Sequence, residues 1–260
     1  MLDHKTGPDP DDLTLLEGAV RAAGEIALDF YGKDYRIWNK EGGSPVTEAD
    51  LAVNRHLQDV LTAARPAYGW LSEESRDDPA RLTRARVFVI DPIDGTVAFL
   101  KGRPHFTICA AVVEQTRPLC GAVYNPVTGQ LYAARKDGGA TCNGAPIHVG
   151  AREILEGCAM LGRRDVLAHA PWPAMDVQNR SSLALRLALV AAGDADAAVS
   201  LTAKRDWDLA AADIILTEAG GRVSDVDGQA LRYNGPAAVQ PGLVAASPAL
   251  HTAILTLLRQ

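Results

Sequence analysis

Val87-Phe88-Val89-Ile90-Asp91-Pro92-Ile93-Asp94-Gly95-Thr96 joins a short apolar run to two carboxylates, a glycine and a hydroxyl. The apolar residues at its start predict a buried strand. Such a cluster of polar groups would be a poor choice for a core, but it suits a metal and phosphate site at the carboxyl end of a strand. The alternative is an ordinary surface turn, because Asp, Pro and Gly are common turn-forming residues. Other segments of the chain decide between the two.

Each polar residue of this stretch suits a metal and phosphate site. Asp91 and Asp94 offer oxygen ligands to a hard cation such as Mg²⁺, and Ile93 offers its backbone carbonyl. Gly95 lets the backbone come close to a ligand, and Thr96 brings a hydroxyl group to the same place.

Helical and strand-like segments alternate on both sides of this stretch, which indicates layered α/β (α+β) architecture with a meander in the middle. The first helix has Asp11 or Asp12 as its N-cap, and the second has Thr47. Hairpin turns are predicted at 137–139 and at Asn143-Gly144. Helices are predicted over 13–30, from Thr47 to before Pro66, and over 182–192, 209–219 and about 248–258. Strands are predicted over 68–71, 87–90, 107–113, 119–124, 131–135, 197–201, 223–226 and 243–246.

The domain organisation predicted from this pattern is simple. Residues 1–12 form a polar leader, and residues 13–260 form one unit. That unit has an N-terminal α+β half to about residue 150 and a C-terminal α/β half from about residue 151, with no linker between them.

Composition excludes several classes of protein. The chain has 260 residues, 47% of them hydrophobic, and a net charge of -6, which argues against a partner that is a nucleic acid polymer. The four cysteines are too widely spaced for a zinc or redox motif, and we expect reduced thiols. With neither an export signal nor an apolar run that could span a membrane, we expect a cytoplasmic protein that does not contact membranes.

Further polar residues stand at the edges of the predicted elements. Glu73 and Glu74 follow the strand over 68–71, Asp50 opens the second helix and Asp208 opens the helix over 209–219. Lys40 lies on the extended segment before Asp50. Singly, each has a simpler interpretation as a helix cap or a solvated surface charge. The argument for a site rests on the whole set.

This set resembles the inositol monophosphatase superfamily of metal-dependent, lithium-sensitive phosphomonoesterases. The resemblance covers about residue 13 to the C-terminus and implies a layered αβαβα sandwich. The matching motifs are Pro45-Val46-Thr47-Glu48-Ala49-Asp50, Glu73-Glu74-Ser75, Asp91 to Thr96, Asn143-Gly144, Trp207-Asp208-Leu209-Ala210-Ala211 and Glu218-Ala219-Gly220-Gly221.

The resemblance implies two or three Mg²⁺ ions. Glu73, Asp91 and the carbonyl of Ile93 would hold the first, while Asp91, Asp94 and Asp208 would hold the second. A third, weaker ion would lie on the Glu73 side.

The resemblance also implies direct attack by water, with no covalent phosphoenzyme. Asp50, Thr96 and Glu73 would be the catalytic residues, with Thr96 and Asp50 orienting and deprotonating the water. The backbone N–H groups of Gly95 and Thr96 would hold the phosphate, and Asp208 would also contact the substrate.

The substrate is a small phosphorylated metabolite whose identity the sequence leaves open. Leu201 stands where inositol-specific relatives carry an acidic residue. Ser181-Ser182-Leu183 is similar to a motif of the 3'(2'),5'-bisphosphate nucleotidase branch, which includes the CysQ proteins, although Arg180 and Ala184 depart from its flanking residues. Adenosine 3',5'-bisphosphate is therefore the preferred expectation, with its second phosphate on Lys204, Arg205 or Arg180. Ser181 and Ser182 would line the substrate site.

Several alternatives stay open. Histidinol phosphate and inositol 1-phosphate are other substrates of the same superfamily, and a non-catalytic metal-binding or phosphate-binding relative is a further class. The protein is expected to be either a monomer or a homodimer.

Overall fold

The computed structural model describes residues 10–39 and 45–260, and the side chains from Asp12 onward. Lys40 and the leader up to residue 9 lie outside the described residues. The helices are α1 (Pro10–Phe30), α2 (Glu48–Ala64), α3 (Thr96–Leu100), α4 (Arg164–Leu167), α5 (Leu183–Ala191), α6 (Ala210–Glu218) and α7 (Pro248–Leu258), with short 3₁₀ helices at Pro79–Thr83 and Asp206–Asp208.

The strands form two main sheets and two small ribbons. The larger sheet has seven strands in the order β3-β4-β5-β6-β7-β8-β9, and the smaller has five in the order β11-β10-β12-β16-β14. The ribbons are β1-β2 and β13-β15. The strands are β1 (Ile37–Asn39), β2 (Pro45–Thr47), β3 (Gly69–Ser72), β4 (Arg86–Asp94), β5 (Thr107–Glu114), β6 (Arg117–Asn125), β7 (Gln130–Arg135), β8 (Ala140–Cys142), β9 (Ala145–Pro146), β10 (Ala159–Leu161), β11 (Asp176–Gln178), β12 (Ala197–Ser200), β13 (Lys204–Arg205), β14 (Arg222–Ser224), β15 (Val239–Gln240) and β16 (Leu243–Ala246).

Helices and sheets alternate in five layers. Helices α1 and α2 cover one face of the larger sheet, and α5 and α6 pack between the two sheets. Helix α7 covers the outer face of the smaller sheet. The predicted αβαβα sandwich is therefore confirmed.

Close packing of the central layers depends on one glycine. A side chain at Gly121 in β6 would place its Cβ only 2.7 Å from the carbonyl oxygen of Ala211 in α6. Because that oxygen belongs to the helix backbone, it cannot rotate away, and a larger residue would push α6 off the sheet. Gly121 thereby brings the helix that follows Asp208 close to the larger sheet.

Most of the predicted elements are present, and the exceptions have clear causes. Helix α1 begins at Pro10, so Asp12 lies in its first turn; its carboxylate accepts hydrogen bonds from Arg65 Nε (2.8 Å) and the Tyr68 hydroxyl (2.9 Å). Strands β10 and β11 were not predicted, because each has only three residues and little periodicity. The hairpin at Asn143-Gly144 is confirmed: both residues have positive φ, and Cys142 pairs with Ala145.

All four cysteines are free, as expected. Among the helices of the described residues, none combines the length and the apolar character that crossing a membrane demands.

Candidate active site

A cleft of about 560 Å³ opens where β3 and β4 end and where α3 begins. Three segments that are far apart in sequence contribute its acidic side chains. They are Glu73, then Asp91 and Asp94, and finally Asp208.

Parallel pairing of β3 with β4 brings the first two segments together. Ser72 stands opposite Ile90 in the register, and the backbone N–H of Glu73 donates to the carbonyl of Ile90 over 3.3 Å. Since parallel strands end at the same edge of a sheet, Glu73 and Asp91 emerge side by side.

Strand β4 continues to Asp94, beyond the predicted end at Ile90, and its pairing with β5 shifts register between Asp91 and Asp94. Such an irregularity redirects side chains that regular alternation would place on fixed faces. Asp94 Oδ2 accepts hydrogen bonds from Ser182 Oγ (2.6 Å) and from the backbone N–H of Ala184 (2.7 Å). Both bonds use the same oxygen, which leaves Oδ1 for another partner.

Gly95 links β4 to α3 at a position where no other residue fits. Its φ of 96° is in the left-handed region. A Cβ there would lie 2.8 Å from the carbonyl oxygen of His105 and 3.0 Å from the backbone nitrogen of Ser182. Both the conformation and the space require glycine.

Thr96 and Asp50 meet beside the cleft. Thr96 Oγ1 lies 3.5 Å from Asp50 Oδ1 and 3.1 Å from the carbonyl oxygen of Ile93. The other oxygen of Asp50 accepts from the backbone N–H of Thr47 over 2.8 Å, within the capping box of α2. The expected helix-cap role of Asp50 and a place beside Thr96 are thus both present, one for each carboxylate oxygen.

Sequence reasoning missed the residues that hold Glu73 in place. Asn54 lies one helical turn after Asp50 in α2; its Oδ1 accepts from Ser72 Oγ over 2.6 Å and its Nδ2 donates to Ser75 Oγ over 3.1 Å. These contacts fix the backbone on both sides of Glu73. The four-residue spacing from Asp50 was the signal in the sequence, because it places both side chains on one face of α2.

A polar network that is buried at Arg81, Asn234 and Asp206 connects the loop after Glu73 with the segment that carries Asp208. Arg81 donates to Asp77 Oδ1 over 2.6 Å, to Asn234 Oδ1 over 2.6 Å and to the carbonyl of Gly235 over 3.1 Å. The backbone N–H of Asn234 donates to Asp206 Oδ2 over 2.7 Å. Asp206 begins the 3₁₀ turn that ends at Asp208.

Burial and mutual repulsion raise the pKa of the cleft carboxyls. The pKa of Asp91 lies well above its usual value because of burial and then the charges of Glu73, Asp94 and Asp208. Burial raises the pKa of Asp94 to about 6, although the hydrogen bonds from Ser182 and Ala184 oppose the change. Burial and the charge of Asp94 raise the pKa of Asp208 to about 7. These carboxyls are therefore close enough to disfavour one another's charge.

This donor set fits a hard divalent cation. Within residues 10–39 and 45–260, no three Asp, Glu, His or Cys side chains already form a closed group around a metal position. A divalent cation held here would require at least three of these side chains to lie closer together than they do in this structure. Its charge would remove the repulsion that raises their pKa values, and oxygen donors are the ligands that Mg²⁺ prefers.

The structure separates the residues expected to contact the substrate. Ser181, Lys204 and Arg205 line the cleft. Ser182 does not: it is fully buried, its hydroxyl bonds Asp94 and accepts from the backbone N–H of Leu185, and it caps α5. The expectation that Ser182 contacts the substrate is therefore corrected to a role in holding Asp94. Arg180 donates to Gln178 Oε1 over 3.0 Å and is not among the cleft residues.

Arg186 is a cleft residue that sequence reasoning missed. It is partly exposed in α5 and donates to the carbonyl of Arg180 over 2.6 Å and to Asn179 Oδ1 over 2.9 Å. A single arginine in an alanine- and leucine-rich helix gave little reason to assign it a function.

Comparison with known proteins agrees with this geometry. A model of the inositol monophosphatase family matches residues 9–260. An inositol-1-monophosphatase of Rhizobium meliloti (strain 1021) is 33% identical, over 82% of this chain and 85% of that protein. A 3'(2'),5'-bisphosphate nucleotidase CysQ of Aggregatibacter actinomycetemcomitans is 31% identical, over 83% and 84%.

One further relative carries a different name, and another match is a solved structure. A histidinol-phosphatase of Chlorobaculum parvum (strain DSM 263 / NCIMB 8327) is 30% identical, over 92% of this chain and 93% of that protein. The structure of an inositol monophosphatase from Thermotoga maritima superposes with a TM-score of 0.82 at 26% identity, covering 96% of this chain and 97% of that one. The relatives share a family but differ in the substrates that their names state.

Proposed function

The chain belongs to the inositol monophosphatase family, whose members are metal-dependent phosphatases, and on that premise we propose that it hydrolyses phosphate monoesters with Mg²⁺ and a directly attacking water. The observation that carries the proposal is the meeting of Asp91, Asp94 and Asp208 in one cleft beside the pair Thr96 and Asp50. Binding alone would not require that pair, which argues against a non-catalytic relative.

The residues proposed to hold the metal are Glu73, Asp91 and the carbonyl of Ile93 for one ion, and Asp91, Asp94 and Asp208 for a second. Bound Mg²⁺ supplies positive charge that makes water more acidic and stabilises the oxygen that leaves the phosphorus atom. A third ion near Glu73 is part of the same proposal.

The protein side chains position the water and take up its proton. When the Thr96 hydroxyl donates to Asp50 Oδ1, its oxygen is free to accept a hydrogen bond from the attacking water. Asp50 is held by Thr47 through its other oxygen, so its Oδ1 keeps its orientation toward Thr96 and can receive the proton. Gly95 and Thr96 would hold the phosphate through backbone N–H groups, as the absence of a side chain at Gly95 permits.

Thr96→Ala should lower kcat by about 100-fold, within the usual range for loss of general acid–base assistance. The hydroxyl acts on the water in the transition state, so the Mg²⁺ concentration for half-maximal activity should change little. Steady-state kinetics over a range of Mg²⁺ measures both quantities, with Thr252→Ala on the exposed face of α7 as the control. If Thr96→Ala raised only KM, the role assigned to the hydroxyl would be wrong.

We further propose adenosine 3',5'-bisphosphate as the preferred substrate. Lys204 and Arg205 line the same cleft as the acidic residues and offer charge to a second phosphate. The side chain of Leu201 offers no hydrogen bond to an inositol hydroxyl, which counts against an inositol phosphate. The CysQ relative supports this choice, and the histidinol-phosphatase relative supports the alternative, histidinol phosphate.

A panel of phosphate esters compared by kcat/KM tests the substrate. We expect adenosine 3',5'-bisphosphate to exceed adenosine 5'-monophosphate, inositol 1-phosphate and histidinol phosphate by about tenfold or more, the effect of one additional charge-assisted contact. Preference for histidinol phosphate would overturn the bisphosphate proposal and leave the phosphatase proposal in place. Failure to hydrolyse any ester in the presence of Mg²⁺ would overturn both.

Three further properties stay predictions from the sequence. They are inhibition by lithium, a cytoplasmic location, and a monomeric or homodimeric state.

A further inference from the structure

A second cavity of about 130 Å³ adjoins the cleft and is called the annex here. It lies between α4, β12 and α5, and its walls include Leu167, Val199 and Leu201. Arg186 and Lys204 line both the annex and the cleft, so the two spaces are neighbours.

The annex and the cleft differ in charge. Arg163, Arg186 and Lys204 line the annex, and none of the described residues that line it is acidic. The cleft, in contrast, holds the carboxylates of Glu73, Asp91, Asp94 and Asp208. A ligand that reaches from one space to the other therefore meets an excess of cationic side chains only in the annex.

Two hydrogen bonds fix the orientation of the Arg186 guanidinium. Its Nε and Nη2 donate to the carbonyl of Arg180 and to Asn179 Oδ1, which fixes the plane of the guanidinium. These bonds leave its other N–H groups for a partner. Partial burial lowers the pKa of Arg186, against the attraction of Asp94. An anion beside it would therefore recover part of the electrostatic free energy lost through desolvation.

Lys204 has the freedom to contact the same anion. In the described part of the chain, its ammonium group makes no hydrogen bond to another residue. Its charge lowers the pKa of Asp208 and so opposes the effect of burial.

The size of the annex sets the size of the group that it can take. The annex is much smaller than the cleft, at about 130 Å³ against about 560 Å³. A phosphate group is small enough for this space, and the cationic side chains that line it select for an anion.

We propose that the annex binds a second, non-reacting phosphate of the substrate through Arg186 and Lys204, while the scissile phosphate lies at the acidic residues of the cleft. This inference rests on the proposed phosphatase function. It favours bisphosphorylated substrates over esters with a neutral polyol, which would gain no charge pairing in the annex. It disfavours esters with a distant amine, which would meet like charge there.

The test compares charge changes at neighbouring positions. Arg163 and Arg164 are both exposed, but only Arg163 lines the annex. Arg163→Glu and Arg164→Glu therefore change the net charge of the protein equally, but only the first changes the charge of the annex. The measured quantity is kcat/KM for adenosine 3',5'-bisphosphate divided by kcat/KM for adenosine 5'-monophosphate. We expect Arg163→Glu to reduce the ratio by several-fold, because it replaces a cation of the annex with an anion. Arg163 also pairs with Asp165 at the surface. Arg164→Glu should change it by less than about twofold, since exposed charges outside a site are largely screened.

A second variant tests the central cation directly. Arg186→Met should lower the same ratio by about tenfold or more, and Arg186→Lys should restore part of it, because the charge returns without the guanidinium geometry. Equal ratios for Arg163→Glu and Arg164→Glu, or an unchanged ratio for a folded Arg186→Met, would overturn the annex proposal. In that event hydrolysis of p-nitrophenyl phosphate by the wild-type protein would still support the phosphatase proposal, whereas its absence would overturn the function on which the annex rests.

Discussion

Asp94→Asn is expected to reduce turnover about 1,000-fold or more at saturating Mg²⁺, since losing a ligand of a catalytic ion removes several kcal/mol of transition-state stabilisation. The amide keeps the size of the carboxylate and one oxygen for the hydrogen bonds from Ser182 and Ala184. The fold should therefore survive. Turnover of p-nitrophenyl phosphate and the thermal unfolding midpoint, measured on the same preparation, separate the two effects.

The control for this variant is Asp59→Asn in α2. It removes an exposed carboxylate that does not line the cleft. It should keep nearly full activity. If Asp94→Asn retained more than about a tenth of the wild-type turnover, its loss of transition-state stabilisation would be under roughly 1.4 kcal/mol and Asp94 would not be a metal ligand.

Arg81→Leu is expected to lower the free energy of unfolding by about 2 to 4 kcal/mol, because each buried polar group left without its hydrogen-bond partner costs about 1 to 3 kcal/mol. The side chain of Arg81 is only 1% exposed. Its loss would leave Asn234 Oδ1 and the carbonyl of Gly235 without their donor inside the protein. Urea unfolding followed by circular dichroism measures the change.

Arg84→Leu provides the matched control, because Arg84 ends the same 3₁₀ turn but is exposed. It should change the unfolding free energy by less than about 0.5 kcal/mol, as most surface substitutions do. A loss below about 1 kcal/mol for Arg81→Leu would show that the network between Asp77 and Asp206 contributes little to stability.

The fold followed from the sequence wherever an element was long and periodic. Helices α1 and α2 and the central strands carry clear patterns of apolar residues, and the hairpin at Asn143-Gly144 has residues that tolerate positive φ. The short strands β10 and β11 carry no such pattern. Strand β10 lies between β11 and β12, and neither partner is adjacent to it in the sequence, so local sequence does not specify the pairing.

The acidic residues of the candidate site could be predicted from the sequence, because each follows or precedes a predicted helix or strand. The residues that hold them in place could not be predicted. The sequence predicted that Ser182 contacts the substrate, and only the tertiary structure shows that its hydroxyl donates a hydrogen bond to Asp94. Arg81 and Asp206 meet through Asn234, which lies 153 residues from Arg81, and Arg186 faces the cleft from an otherwise apolar helix. Residues that act through long-range contacts leave no local signal.

The most direct test of metal-dependent phosphatase activity uses chelator-treated protein. Hydrolysis of p-nitrophenyl phosphate is measured as Mg²⁺ is added back. The geometry of Glu73, Asp91, Asp94 and Asp208 predicts negligible hydrolysis in the chelator and a saturable rise to full activity with added Mg²⁺. Equal activity with and without the chelator, or no hydrolysis at any Mg²⁺ concentration, would contradict it.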